Sequence, residues 1–399
     1  MISKILLRRE QFPITDHLVY FNHAAVGPLS QSAYAAIERH AREQRDVGAL
    51  EWRDWFAEYA DFRDETAALL GADASEISIL KNTSEGISFV ANGFRWAPGE
   101  NVVTTDIEFP SNSVPWRRLA ARGVECRILP TRDGAFTVDD VEKLVDTKTR
   151  LLAISSVYFH NGFRPDLDAL GAFCEAKGIL FCVDAIQGLG ALATDVRRAK
   201  IHFLAADGHK WLLGPEGTAI FYAAADVRER LEVLESGWMN VDRGDAMIGC
   251  SDELLPDGRR FEAGSLNTSG VYGLRASIAL LRHVGIPEVE REVLWVAGTL
   301  AAMLESLGFR IATPRPIASG IVAVDSPPPV DVERLRRVTS SSEETDTLVL
   351  LHRWLEVCDV VCSVREGLLR FSPHFYNDED DIERVKHVLE DAMVPSSRA

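Results

Sequence analysis

Three short stretches of this chain carry side chains that could do chemistry together. In Val183-Asp184-Ala185-Ile186-Gln187 an aspartate ends a nearly all-apolar run. A carboxylate there can face a ligand cation or a protonated ring nitrogen; it can equally be a solvated turn acid. Further on, Asp207-Gly208-His209-Lys210-Trp211 sets a lysine among apolar residues, ahead of a Gly-Pro-Glu-Gly turn. In an apolar or cation-rich pocket such an amine loses its proton more readily and can form a Schiff base; on an open loop it is one more surface lysine. His209 beside it could orient a ring or pass protons. The third stretch, Lys81-Asn82-Thr83-Ser84-Glu85-Gly86, offers hydroxyls and free backbone N–H groups where a strand gives way to a helix. That arrangement is an anion site, or a plain capping box.

Taken together, the three supply the minimum holder for pyridoxal 5′-phosphate. The helix start binds the phosphate and Asp184 keeps the pyridine nitrogen protonated. Lys210 holds the aldehyde and later moves a proton.

The elements that must position them alternate. Residues 76–80, 101–105, 124–129, 150–157, 178–183 and 217–222 read as strands. Residues 111–122, 138–145 and 167–177 read as helices between them. This rhythm predicts parallel βαβ units in an α/β, doubly wound domain, whose ligands bind beyond the carboxyl ends of the strands. Helices are expected at 30–46 and 52–70 before this region and at 270–284 and 287–307 after it. From about residue 290 the pattern becomes α+β. It has strands at 309–311 and 320–324, a helix at 348–357, a hairpin over 360–364 and 367–371, and a terminal helix over 380–393. The polar, acidic 339–346 stretch reads as an exposed loop.

Composition narrows the classes. The 399 residues carry a net charge of −17, which argues against nucleic-acid binding. No run approaches the ~18 apolar residues of a membrane span, and the N-terminal apolar patch is too short and charged for a secretory signal. Cys126, Cys174, Cys182, Cys250, Cys358 and Cys362 form no CxxC pair and no metal-ligand cluster. A cytoplasmic protein with reduced, mostly structural thiols and no bound metal is expected.

The motifs NTSEGI (82–87), EFPSNSVPW (108–116), VDAIQGLG (183–190), DGHKWLLGPEG (207–217), FEAGSLNTSG (261–270) and LRFSPHFYN (369–377) resemble the class V aminotransferase family. These are fold-type I pyridoxal-phosphate enzymes, among them cysteine desulfurases, selenocysteine lyases and isopenicillin N epimerase. The likeness runs from about residue 19 to 384. It implies a large doubly wound mixed-sheet domain over 21–289 and a smaller C-terminal α+β domain over 290–399. An N-terminal segment, 1–20, is expected to pack on the small domain.

The resemblance also implies roles. Lys210 matches the Schiff-base lysine, Asp184 the pyridine-nitrogen partner, and Gln187 the residue bonding the phenolic oxygen. Thr83 and Ser84 match the phosphate-binding turn, and His209 the phosphate-side histidine. Ser265 matches a hydroxyl that reaches the phosphate of the other subunit, which implies a homodimer with shared active sites. Arg370 matches the arginine that binds the substrate carboxylate, with Arg365 a second candidate. Asn22 and His23 fall in a segment lining the substrate site, where a helix-cap role is the alternative.

The chain also departs from the family pattern. Phe109 replaces a ring-stacking histidine; it can stack but cannot move protons. Asp207 replaces a phosphate-binding hydroxyl. Phe159 stands near the place of an asparagine, for which Asn161 is a candidate substitute. The interval before Arg370 closes as a tight hairpin without the loop cysteine of several desulfurases. Residues 338–356 form a longer stretch that could cover the site or merely extend the surface. An aminotransferase acting on an amino-acid-like substrate is therefore expected first, since it needs no residue the chain lacks. A β-lyase of sulfur or selenium amino acids comes second and an epimerase third. A non-catalytic member is disfavoured by the presence of both Lys210 and Asp184. A nicotinamide enzyme is disfavoured because Gly188-Leu189-Gly190 lacks a third, correctly spaced glycine.

Overall fold

The computed structural model describes residues 4–242, 244, 248–249 and 251–394, apart from the Ile5 side chain. Cys250 lies outside the described residues. The strands in chain order are β1 (Val19–Tyr20), β2 (Ile77–Leu80), β3 (Asn101–Thr105), β4 (Glu125–Leu129), β5 (Thr149–Ser155), β6 (Leu180–Asp184), β7 (Phe203–Asp207) and β8 (Ala219–Ala223). Then come β9 (Arg310–Ile311), β10 (Val322–Ser326), β11 (Val360–Val361), β12 (Ser363–Arg365) and β13 (Leu368–Phe371).

Seven of them form the large sheet, in the order β2-β8-β7-β6-β5-β3-β4. β8 pairs antiparallel with both neighbours, and the remaining pairs are parallel. The sheet is mixed, as the resemblance implies. Its middle strands are buried along almost their whole length, which is why their sequences are nearly unbroken apolar runs. Because β2, β3, β5, β6 and β7 run the same way, the residues just beyond their carboxyl ends gather along one edge of the sheet.

Most expected elements are present, with three differences that matter. β7 is not expected from its own sequence: Phe-Leu-Ala-Ala-Asp is short and carries two alanines and no β-branched residue. Register with β6 and β8 makes it a strand regardless, with Asp184 opposite Ala205. Residues 111–122 form not one helix but a short helix, Val114–Arg118, between two 3-10 turns; prolines start both the first turn and the helix. The 360–371 hairpin is shorter than expected. β12 and β13 make it, while β11 pairs instead with β1, parallel; of the N-terminal segment, Val19 packs in the core of the small domain, and Leu7 and Phe12 pack in that of the large sheet.

Two apolar cores result. The first spans the large sheet and its covering helices, and the second lies between the four-stranded sheet β12-β13-β10-β9 and the C-terminal helices. The helix Ile286–Ser306 serves both, Val289 and Val293 facing the first core and Val296, Ala297 and Leu300 the second. Near the N-terminus, Arg8 is held bidentately by Asp381 at 2.7 and 2.9 Å. The 338–356 stretch folds into the end of the helix Val332–Val338, a turn, and most of the helix Thr347–Val357, all on the small domain. It does not line the cavity at the carboxyl edge of the large sheet. Among the described residues no helix is long and apolar enough to cross a membrane.

Candidate active site

A cavity of about 480 Å³ opens at the carboxyl edge of the large sheet, against the small domain. Each strand end contributes a side chain. β2 leads into Asn82, whose side chain accepts Glu85 N at 2.9 Å and caps the helix Thr83–Gly93. Asn82 thus does the capping, and the Thr83 and Ser84 hydroxyls are left for other work. Thr83 Oγ1 accepts the Asp207 amide at 2.9 Å, tying the helix start to the end of β7. Ser84 Oγ lies 2.7 Å from Ser111 Oγ. Hydroxyls beside a helix N-terminus are a fitting seat for a phosphate.

Asp184 ends β6. It is 1% exposed, and Ile186 N donates to its Oδ1 at 3.1 Å. Burial raises its pKa to about 6, with the charge of Lys210 pulling the other way. A buried carboxylate without a bonded cation is costly, and a protonated ring nitrogen would supply that partner. Lys210 is 9% exposed. Burial lowers its pKa to about 8, Arg370 and Arg365 add to the lowering, and Asp184 and Asp207 oppose it. Its Nζ lies 5.6 Å from the centre of the Phe109 ring, which is on the cavity wall.

Gln187 is held at both ends. Trp211 Nε1 donates to its Oε1 at 2.9 Å, and its own Nε2 donates to the Ala24 carbonyl at 3.0 Å. The Trp211 carbonyl in turn meets His374 Nε2 at 3.0 Å, so the small domain braces the residue after Lys210. Asp207 Oδ1 lies 2.9 Å from His209 Nδ1, and both residues line the cavity.

On the small-domain side stands Arg370, 1% exposed. Its Nε donates to Ser363 Oγ at 3.2 Å and its Nη1 to the Phe159 carbonyl. Its Nη2 has no partner. Burial lowers the Arg370 pKa to about 9, and Arg365 lowers it further by repulsion. An unpaired guanidinium nitrogen this deeply buried calls for an anion, and a carboxylate is the anion its geometry suits. Arg365 lines the cavity from the exposed end of β12.

The donor set therefore fits pyridoxal 5′-phosphate. The family profile described as Aminotransferase class-V matches residues 20–385. The chain belongs to the class V aminotransferase family. It is a pyridoxal-phosphate-dependent enzyme of fold-type I. This class V chain is 30% identical to a probable cysteine desulfurase of Methanothermobacter thermautotrophicus, over 96% of both chains. Its fold is that of a cysteine desulfurase from Thermococcus onnurineus, with a TM-score of 0.85, 24% identity and 98% of each chain covered. It is also that of the cystine C–S lyase C-DES, solved with its product cysteine persulfide: TM-score 0.86, 22% identity, 96% of this chain and 100% of the other.

Some expected site residues stand elsewhere in this class V fold. His23 does not line the cavity; its ring meets the Ser372 carbonyl at 2.8 Å and the Tyr376 hydroxyl at 2.7 Å, which uses both nitrogens. Its neighbours Ala24, Ala25 and Val26 line the cavity instead. Asn161 cannot stand in for the missing asparagine, since it bonds Gly134 O and Phe163 N behind the wall while Phe159 faces inward. Ser265 lies in a separate hollow with Lys81, Glu85 and Asn267. One residue escapes a reading of the sequence. Glu108, just before Phe109, is 8% exposed, and burial raises its pKa to about 7 against the pull of Ser155, Tyr158 and Asn112. Its only signal is a carboxylate beside an aromatic residue after a strand.

Proposed function

We propose that this enzyme is a lyase that cleaves the Cβ–S or Cβ–Se bond of an α-amino acid. Support for an α-amino acid comes from Arg370, which lines one cavity with Lys210 and Asp184 and whose Nη2 has no partner. Carbon–sulfur cleavage is favoured over transamination by the desulfurase names of relatives that match end to end. Aminotransferase, the reading the sequence puts first, has less behind it.

When bound, pyridoxal 5′-phosphate supplies an electron sink for negative charge at the substrate α-carbon. The chain's own residues do the rest. Thr83, Ser84 and His209 would hold the phosphate end. Asp184 would keep a proton on the ring nitrogen, and Gln187 would bond the phenolic oxygen. Arg370 grips the substrate carboxylate, with Arg365 at the mouth. Lys210 Nζ takes the α-proton, and the sulfur departs with the electron pair of the Cβ–S bond. Phe109, on the cavity wall, would pack against the ring and has no proton to transfer. The sulfur is read as leaving as free sulfide or on a small molecule; among the described residues no cysteine lines the cavity.

A homodimer belongs to the same proposal, with Ser265 serving the phosphate site of the other subunit, as does a cytoplasmic location. The test is to load the purified protein with cofactor and add cysteine, cystine and alanine separately. Release of sulfide or persulfide with pyruvate from the sulfur amino acids is expected. Bleaching of the visible band with keto acid from alanine, and no sulfur product, would establish an aminotransferase instead.

A further inference from the structure

Glu108 neither binds the cofactor nor moves a proton in the proposed reaction, yet it is the most heavily bonded carboxylate beside the cavity. Its Oε1 accepts Ser155 N at 3.0 Å and the Tyr158 hydroxyl at 2.8 Å; Thr105 Oγ1 stands 3.4 Å away. Its Oε2 accepts Asn112 Nδ2 at 3.0 Å and the Ser155 hydroxyl. Every one of these donors is neutral. Converging on one buried carboxylate, they fasten the turn after β3 to the segment leaving β5.

Each fastened point is succeeded in the chain by working surface. Phe109 comes directly after Glu108, and Phe159 directly after Tyr158. The two rings meet edge to face at 5.2 Å on the cavity wall. The Phe159 carbonyl is also the acceptor for Arg370 Nη1. With Nε fixed on Ser363 and Nη1 fixed on Phe159, the planar guanidinium has one orientation left, and its Nη2 is the unpaired corner.

We propose that Glu108 is a positioning residue for substrate-carboxylate recognition. Its cluster of donors sets the Phe159 carbonyl, and that carbonyl turns Arg370 so that Nη2 is free for the carboxylate. The inference rests on the Arg370 reading in the proposed function, but not on which substrate bond the enzyme breaks.

The test uses the full chain loaded with pyridoxal 5′-phosphate. Its visible band is titrated with glycine and, separately, with methylamine, which offers the amine without the carboxylate. In Glu108→Gln the half-saturating glycine concentration is expected to rise about tenfold, and that for methylamine to stay within about twofold. Tyr158→Phe removes a single donor and should give the same selective change, smaller, at about threefold; it decides the matter alone if Glu108→Gln does not fold or load. A merely structural role would weaken both ligands equally, and that result, or no change in either, would overturn the proposal. Arg370→Met is run alongside. If it abolishes the preference for glycine while Glu108→Gln does not, the Glu108 role fails alone. If the preference survives in Arg370→Met, the carboxylate reading beneath it fails.

Discussion

A Cβ on Gly27 would lie 2.3 Å from the carbonyl oxygen of Lys210. The Gly27 amide also donates to the His209 carbonyl at 2.7 Å. The segment after β1 is thus pressed directly on the backbone that carries the lysine, and only glycine fits there. Neither carbonyl is the far end of a flexible side chain, so the backbone itself would have to give. Gly27→Ala is expected to cost about 1–3 kcal/mol of stability and to displace Lys210. Thermal unfolding reads the first effect. The intensity of the visible band at saturating cofactor reads the second, and an unchanged band would show that the lysine tolerates the shift.

The lowered pKa of Lys210 has a direct consequence for cofactor uptake. Only the neutral amine attacks an aldehyde, and a pKa of about 8 in place of 10.5 enlarges the neutral fraction at every pH below the ordinary value. At pH 7.5 it amounts to roughly a quarter of the molecules, against about 0.1% for an ordinary lysine. The rate at which cofactor-free protein takes up pyridoxal 5′-phosphate should therefore rise with pH and level off just above 8. A rate still climbing steeply at pH 9.5 would mean that the amine is not so perturbed. Lys210→Ala should lose the band of the lysine-held cofactor and at least about 10²-fold in turnover.

Arg370 and a lysine are not equivalent at this position. The guanidinium makes two bonds within the protein and keeps one nitrogen for the substrate; an ammonium has no planar fork to divide in that way. Arg370→Lys is expected to raise KM for an amino acid about 10- to 100-fold, with a smaller effect on kcat. A kcat loss at unchanged KM would move Arg370 from binding to chemistry.

The chemical core of the site is legible in the sequence because its residues come after apolar strands. Asp184 and Lys210 can be read from their surroundings, and the strand-end rule puts them on one edge. Side-chain direction is not legible. His23 and Ala24 are adjacent in sequence, yet one faces the core and the other the cavity. Asn161 looks like a substitute for the missing asparagine, a role that its bonds to Gly134 and Phe163 preclude. Glu108 is silent in the sequence because its five donors come from the 105–112 turn and the 155–158 segment, far apart along the chain. β7 is silent because register with its neighbours, not its own residues, makes it a strand.

The thiols give the sharpest division between two kinds of sulfur chemistry. An enzyme that carries sulfur on itself needs an exposed, readily ionised cysteine near the substrate. Cys362 is 2% exposed in the small-domain core, and burial raises its pKa far above the usual thiol range. Cys358 ends the helix Thr347–Val357, and its pKa is raised as well, by burial first and then by Asp391 and Asp359. Neither lines the cavity, and the turn between β12 and β13 is Glu366-Gly367, with no room for a mobile loop. Cys358→Ser and Cys362→Ala are therefore expected to keep sulfur release within about twofold of the parent, Cys362→Ala losing about 1 kcal/mol of stability through the space it leaves. The measurement is sulfide and pyruvate formed per enzyme from cysteine and from cystine, without added reductant. A tenfold fall in either variant, with the fold intact by circular dichroism, would show that a protein thiol receives the sulfur after all.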